Sequence, residues 1–220
     1  MNLARTYLGE KAIEQGLKYI VNQPMENLDN IMKWVEKVPM LPSHREYVKN
    51  TNRFLQDKES NWYKFTERVL AETHPHVKER LSENFFLNAN FLGVPKQLEM
   101  AKKLGYSIPW AMLIDPTDAC NLRCTGCWAG DYKKRQELDF DLLDRVLTEG
   151  EELGIYFTVM SGGEPAFRKN DIIRLAEKHQ DQTFLLFSNG TLVDDEFVRQ
   201  MQRVGNVVIA FSLEGFEDST

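Results

Sequence analysis

All three cysteines of this 220-residue chain lie within eight consecutive positions. Cys120, Cys124 and Cys127 form the pattern C-x3-C-x2-C, and the sequence contains no fourth cysteine. Iron–sulfur clusters are held by cysteine thiolates, usually four of them. A cluster on this stretch would therefore take three protein thiolates and leave one metal position open to another ligand. An open position favours a catalytic centre over a purely electron-transferring one.

Three other interpretations of the cysteines fit the sequence less well. Zinc usually takes four ligands in a structural site and three protein ligands plus water in a catalytic site. The histidines show no metal-ligand spacing with the cysteines and lie far from them in sequence: His44, His74, His76 and His179. A bacterial ferredoxin run is C-x2-C-x2-C with a further cysteine. Buried structural cysteines are common, but these three lie in a polar, glycine-containing stretch.

Three further motifs follow the cysteines along the chain. They are Ser161-Gly162-Gly163-Glu164-Pro165, Ser188-Asn189-Gly190-Thr191 and Ser212-Leu213-Glu214-Gly215. Glycines let the backbone approach a ligand closely, the glutamate supplies an anion, and the serine hydroxyls can donate hydrogen bonds. Each motif alone is typical of an ordinary turn. The prediction that they form a site therefore rests on their order after the cysteines.

The elements that position these motifs alternate between short apolar runs and helical patterns. The predicted strands cover residues 111–114, 156–160, 184–187 and 207–211, with apolar residues at helical spacing between them. This alternation predicts an α/β fold of βα units on a parallel sheet. Each motif comes directly after a strand, and in (β/α) barrels that end of the strands carries the active site.

The cysteine pattern and the three motifs, in this order, resemble the radical SAM superfamily. The resemblance covers about residues 107–220 and is closest to the branch with the first enzyme of molybdenum-cofactor synthesis and the peptide-modifying enzymes. It implies that residues 106–220 are the first four βα units of a partial (β/α) barrel. Because the family continues with further units, the resemblance also implies that the chain is truncated after Thr220.

The resemblance implies a specific chemistry. Cys120, Cys124 and Cys127 would hold a [4Fe–4S] cluster whose open iron binds S-adenosylmethionine (SAM). One electron from an external reductant would cleave SAM to a 5′-deoxyadenosyl radical, which abstracts hydrogen from a peptide, protein or small-molecule substrate. The implied SAM contacts are Gly162, Gly163, Glu164, Ser188 and Ser212. A second hypothesis is a non-catalytic iron–sulfur protein for electron transfer or partner binding.

One position departs from the family pattern. Many family members carry an aromatic residue directly before the third cysteine, where it contacts adenine. Here that position is Gly126, and Trp128 follows the cysteine instead. Either Trp128 takes over the stacking on adenine or the backbone alone holds the base.

Charge and composition limit the partners. The chain has 33 acidic and 27 basic residues and a formal net charge of −6, which argues against a nucleic-acid partner. No segment has the apolar length that a membrane span needs, and charged residues within positions 3–21 exclude a signal peptide. Clustered cysteines in odd number fit a reducing compartment. We therefore expect a cytoplasmic protein with no membrane partner.

Residues 1–105 show only helical periodicity and are expected to form a separate helical region. Apolar spacing predicts helices over residues 13–21 and 28–35, a third that starts at a Ser43–Glu46 capping box, and a fourth through Trp62. Pro75 is expected to open a fifth. The region either packs as a bundle on the catalytic domain or binds a substrate or partner. It contains no cysteine and so cannot hold a thiolate-bound cluster.

Overall fold

The computed structural model describes residues 42–131, 136–213 and 215, together with residues 11, 15, 16 and 19. The chain divides into two compact units, Met1–Leu87 and Asn88–Thr220. The domain boundary expected after residue 105 stays a prediction. The helix expected over residues 28–35 lies outside the described residues, as does most of the one expected over 13–21.

The described part of the first unit is helical. It contains α1 (Pro42–Gln56), α2 (Asn61–Glu72) and α3 (Pro75–Ser82). α1 begins one residue before the serine expected as its cap. The Ser60 hydroxyl caps α2 by accepting a hydrogen bond from the Tyr63 amide, and Pro75 occupies the first turn of α3, where a missing N–H leaves no intrahelical bond unmade.

A π-helical stretch, Glu83–Gly93, leads into α4 (Val94–Leu104), which ends at Gly105. This glycine adopts a φ of +81°, the left-handed conformation typical of helix ends. None of the helices in the described part of the chain is both long and apolar enough to cross a membrane.

Four parallel strands form the sheet of the second unit, in the spatial order β1-β2-β3-β4. They are β1 (Met112–Ile114), β2 (Phe157–Met160), β3 (Thr183–Ser188) and β4 (Val207–Phe211). The helices α5 (Phe140–Leu153), α6 (Lys169–Lys178) and α7 (Asp195–Val204) alternate with them. This confirms the expected α/β architecture. Because all neighbouring strands are parallel, their carboxyl ends lie along one edge of the sheet.

The hydrophobic core lies on one face of this sheet. Met160, Phe184 and Leu186 of the strands and Leu143 and Leu147 of α5 are at most 1% exposed and belong to one cluster. Successive strand residues alternate between the faces. Leu113 and Phe187, which point the other way, are 66% and 45% exposed. Packing on this face therefore stabilises the sheet and holds in place the strand ends that the motifs follow.

Local sequence signals fix where the connecting helices begin and end. Asp139 caps α5 by accepting a hydrogen bond from the Leu142 amide, and Asp194 caps α7 in the same way from Phe197. Both helices end at a glycine with a left-handed conformation, Gly154 and Gly205. These signals set where the chain enters each helix and where it leaves toward the following strand.

Candidate active site

The cysteine loop is closed at its base by short antiparallel pairing. Thr117 and Glu137 form an isolated bridge. Next to it, the Asp118 amide donates to the Gln136 carbonyl at 3.0 Å, and the Gln136 amide donates to Asp118 Oδ1 at 2.6 Å. The cysteine-bearing segment therefore leaves and rejoins the domain at one place.

Arg168 holds both sides of this base. Its Nη1 donates to the carbonyl of Leu138 at 2.7 Å and to that of Pro116 at 3.3 Å. Its Nε and Nη2 donate to Asp171 Oδ2 at 2.9 and 2.7 Å, and the side chain is only 10% exposed. Sequence reasoning missed this residue, because nothing in its spacing links it to the loop.

The three cysteines are free thiols on the loop. Cys120 is half-buried, and Cys124 and Cys127 are exposed. The Leu122 amide donates to Cys120 Sγ at 3.5 Å, and the Cys127 amide donates to the Cys124 carbonyl at 3.2 Å. Within the described residues, no three His, Cys, Asp or Glu side chains are grouped as a metal site. The donor set suits iron chemically, whereas the three sulfur atoms are not gathered into one ligand set.

The end of β2 rests directly on the segment that leads into the first cysteine. The Gly163 amide donates to the Thr117 carbonyl at 3.0 Å, and the Glu164 amide donates to the Ala119 carbonyl at 2.7 Å. A Cβ added at Gly163 would lie 2.3 Å from the Ala119 carbonyl oxygen. Gly162 has a φ of +98°. The close neighbours of Gly163 are thus backbone atoms, and those of Gly162 are the Thr117 carbonyl oxygen and the Asp115 side chain. The expected SAM contacts of both glycines stay predictions.

The Glu164 carboxylate joins the ends of β2 and β3. The side chain is 1% exposed. Oε1 accepts hydrogen bonds from the Ala166 amide at 2.9 Å and from Ser188 Oγ at 2.8 Å. Oε2 accepts from the Asn189 amide at 2.8 Å, and Ser188 Oγ in turn accepts from Gly190. Glu164 and Ser188 therefore bind each other, and their predicted contact with SAM stays a prediction.

Ser212 and Trp128 are exposed residues on the segments that follow β4 and β1. The Ser212 amide donates to the Ser188 carbonyl at 2.9 Å, next to the end of β4. Trp128 opens a short 3₁₀ turn, Trp128–Asp131, directly after the third cysteine, and is 62% exposed. Both side chains are accessible to a ligand. Glu214, which belongs to the third motif, lies outside the described residues.

Asp115 adds a carboxylate that sequence reasoning did not assign to the site. It follows β1 directly, and a Cβ added at Gly162 would lie 2.9 Å from its Cβ. Among the described residues, its buried Oδ1 has no hydrogen-bond partner. Burial raises the pKa of this carboxyl group. Its place at a strand end was visible in the sequence, but its unpaired oxygen was not.

Residues 114–220 match the family model of the Radical SAM superfamily. This segment carries the family-model domain of that superfamily. Members of the superfamily are enzymes, and iron–sulfur and SAM binding are characteristic of them. The matched segment contains every predicted site residue and the whole described sheet apart from the first two residues of β1.

Relatives with different substrates in their names match part of this chain. The chain is 29% identical over 126 residues to an Fe-coproporphyrin III synthase from Methanosarcina barkeri, covering 56% of this chain and 30% of that protein. It is 32% identical over 128 residues to the PqqA peptide cyclase of Bradyrhizobium diazoefficiens, covering 56% and 33%. The chain thus spans about a third of the length of these curated relatives.

A solved structure is also similar. It is Streptococcus suis SuiB bound to S-adenosylmethionine, with 18% sequence identity and a TM-score of 0.47. The similarity covers 77% of this chain and 38% of that chain.

Proposed function

We propose that this chain carries the cluster- and SAM-binding part of a radical SAM enzyme. In this proposal Cys120, Cys124 and Cys127 hold a [4Fe–4S] cluster and leave one iron for SAM. The observation that carries the proposal is the position of the cysteine loop. All three cysteines of the chain lie on this loop, and backbone hydrogen bonds join its base to the Gly-Gly-Glu segment after β2. Metal ligands and cofactor-binding backbone would then share one edge of the sheet.

The bound cluster would supply one electron for the cleavage of SAM to methionine and a 5′-deoxyadenosyl radical, which takes a hydrogen atom from the substrate. The protein would orient SAM and exclude competing reactions. The amides of Gly163 and Glu164 already donate to backbone carbonyl groups of the domain. We therefore assign the SAM ammonium to backbone carbonyl oxygens of this segment, which accept hydrogen bonds.

The exposed residues take the other end of SAM in this proposal. Ser212 Oγ would donate to a ribose or carboxylate oxygen, and the Trp128 ring would stack on adenine. Ser188 and Glu164 would act through the strand ends that they join. This division follows accessibility, since Glu164 and Ser188 are 1% and 2% exposed while Trp128 is 62% exposed.

The substrate and the electron donor belong to the proposal as well. The name of the PqqA peptide cyclase supports a peptide or protein substrate, whereas that of the Fe-coproporphyrin III synthase supports a small molecule. We favour a peptide, with an external one-electron reductant. Free thiols suit a reducing compartment, so we place the protein in the cytoplasm.

Electron paramagnetic resonance of the anaerobically reconstituted, reduced chain tests the proposal. We expect a [4Fe–4S]⁺ signal that changes when SAM is added, together with 5′-deoxyadenosine from SAM and dithionite. Cys124→Ser should lose most of the iron, because it removes one of three ligands. Thr125→Ala is the matched control, since it changes the same loop and leaves all three thiols.

Two outcomes would contradict the proposal. Full iron and sulfide content in Cys124→Ser would remove that cysteine from the ligand set. A cluster signal that SAM does not change, with no 5′-deoxyadenosine formed, would favour a non-catalytic iron–sulfur protein for electron transfer or partner binding.

A further inference from the structure

The side-chain amide of Asn189 is held in one orientation. Its Oδ1 accepts hydrogen bonds from the Thr191 amide at 3.0 Å and from Thr191 Oγ1 at 2.7 Å. Both donors are on the oxygen side, so the NH₂ group must point the other way. Nδ2 donates to Asn121 Oδ1 at 3.0 Å and lies 4.0 Å from Cys120 Sγ.

A further hydrogen bond closes a ring of three side chains. Asn121 Nδ2 donates to Thr191 Oγ1 at 2.6 Å. Asn121 therefore donates to Thr191, Thr191 to Asn189, and Asn189 back to Asn121. We call this the Asn121–Asn189–Thr191 ring. Hydrogen bonds that follow one another in the same direction polarise and strengthen each other.

The ring is attached to the buried part of the domain at one side and to a cysteine at the other. The Asn189 amide donates to the buried Glu164 carboxylate at 2.8 Å, and Asn121 directly follows Cys120 in the chain. In the described part of the chain, no side-chain hydrogen bond of this kind reaches Cys124 or Cys127. The ring therefore distinguishes the first cysteine from the other two.

We propose that Asn189 is a positioning residue for Cys120, which fixes its sulfur through the ring and donates an N–H group toward it. The proposal rests on the function proposed above, since it assigns Asn189 a role toward the bound cluster. Hydrogen bonds to the sulfurs are among the factors that set the potential of an iron–sulfur cluster. An N–H donor stabilises the reduced state, which is more negative. Asn189 therefore raises the reduction potential.

Hydrogen exchange of the metal-free protein tests the positioning without the cluster. We would follow the peptide around Cys120 by mass spectrometry in the wild type, Asn189→Asp, Thr191→Val and Thr191→Ser. Thr191→Val removes the hydroxyl that both accepts and donates in the ring, so we expect faster exchange at the amides next to Cys120. Thr191→Ser keeps the hydroxyl and should match the wild type. Equal exchange in Thr191→Val and the wild type would overturn the positioning by the ring.

A redox titration of the reconstituted protein, followed by electron paramagnetic resonance, tests the donated N–H group. Asn189→Asp keeps the size and the oxygen that Thr191 binds, but replaces the NH₂ donor by a charged acceptor. Losing a hydrogen bond to a charged group corresponds to about a tenfold change in the equilibrium constant for reduction, or about 59 mV for one electron. We expect the potential of Asn189→Asp to fall by that amount, and that of Thr191→Ser to stay at the wild-type value.

An unchanged potential in Asn189→Asp, at wild-type iron content, would overturn the proposed role of Asn189 toward the sulfur. Failure of every variant and of the wild type to bind a cluster would instead contradict the function proposed above. In that case the exchange measurement on the metal-free protein still decides whether the ring positions Cys120.

Discussion

Two polar clusters border the same sheet and differ in what they hold. Between α5 and α6, the His179 ring lies 2.9 Å from both Glu151 Oε1 and Asp144 Oδ1, and is 4% exposed. At the carboxyl edge, the buried Glu164 carboxylate accepts a hydrogen bond from the Asn189 amide. The Asn189 side chain in turn contacts the cysteine loop, two of whose thiols are exposed. The first cluster fastens helices to each other, and the second fastens a loop that can receive a ligand.

The comparison teaches that buried charge serves two purposes in one domain. A buried charged group is costly unless it is paired and hydrogen-bonded. The groups around His179 meet this requirement with one another, so that cluster is expected to affect stability alone. The groups around Glu164 meet it with backbone amides and a serine of the neighbouring strand. Changes there should alter both stability and the cysteine loop.

The largest effect is expected for Gly163→Ala. Its new Cβ would lie 2.3 Å from the Ala119 carbonyl oxygen and 2.7 Å from the Asp118 carbonyl carbon. Because these are backbone atoms, the loop base must move, and we expect a loss of about 3 kcal/mol or more in the free energy of unfolding. Iron uptake should fall as well, since Ala119 precedes Cys120. Urea unfolding and iron analysis measure the two effects.

Gly105→Ala is the matched control for this substitution. Unlike Gly163, Gly105 has a left-handed conformation, with a φ of +81°, and a Cβ there would meet nothing within 4 Å. Only backbone strain of about 1 kcal/mol is expected, with normal iron uptake. A stability loss in Gly163→Ala no larger than in Gly105→Ala would show that the close approach to Ala119 is not required.

Glu164→Gln should have the next largest effect. The Gln side chain keeps one oxygen, so its NH₂ group must face a donor: either the Asn189 amide or the pair formed by the Ala166 amide and Ser188 hydroxyl. Leaving buried donors unsatisfied costs about 1–3 kcal/mol. Ser188→Ala removes a donor instead and should cost about 1 kcal/mol. A smaller loss in Glu164→Gln than in Ser188→Ala, by urea unfolding, would contradict the central role of this carboxylate.

The sequence predicted the strands well and their contacts poorly. Every strand was predicted to within one residue at each end, because apolar runs bounded by turn residues define a buried strand. The clamp by Arg168 and the Asn121–Asn189–Thr191 ring were not predicted. The hydrogen bonds that join different segments there link residues 30 to 70 positions apart, and polar side chains show no periodicity that indicates a partner. Such contacts depend on how loops from different strands meet above the sheet.

The glycines illustrate the same limit. The sequence indicated that Gly162 and Gly163 permit a close approach, which the structure shows with distances below 3 Å for an added Cβ. It did not indicate what approaches them. The backbone of the loop base, at Thr117 and Ala119, lies against the two glycines. This contact depends on the pairing of β1 with β2, which the local sequence does not indicate.

The third effect concerns the first cluster and depends on pH. Burial alone would lower the pKa of His179, but hydrogen bonds to Glu151 and Asp144 outweigh it and raise the pKa. A raised histidine pKa stabilises the fold fully below the unfolded value of about 6.5, and this stabilisation is lost as pH rises through the folded pKa. His179→Gln should therefore cost about 1–3 kcal/mol at pH 6 and less at pH 9.

Asp144 sets the acid limit of the same window. The Lys178 hydrogen bond lowers the pKa of this carboxyl group, so its contribution is present above about pH 4 and is lost in stronger acid. Urea unfolding at several pH values measures both limits. His74→Gln is the control, because His74 is exposed and makes no capping hydrogen bond. A pH-independent cost of His179→Gln would contradict the paired charges as its cause.

The smallest effect on stability, and the sharpest test of the comparison, is expected for Ser212→Ala. The Ser212 contact with the end of β3 uses its backbone amide, which alanine retains, and the side chain is exposed. The free energy of unfolding should therefore change by less than about 0.5 kcal/mol.

If the Ser212 hydroxyl donates to SAM, losing one hydrogen bond of about 1 kcal/mol should weaken SAM binding about fivefold. Equilibrium dialysis of the reconstituted protein measures this, with Leu213→Ala as the control for a neighbouring exposed side chain. Unchanged SAM affinity would remove Ser212 from the predicted contacts. A change in affinity without a change in stability would identify a residue that acts on a ligand alone, and no residue of the His179 cluster is expected to behave in that way.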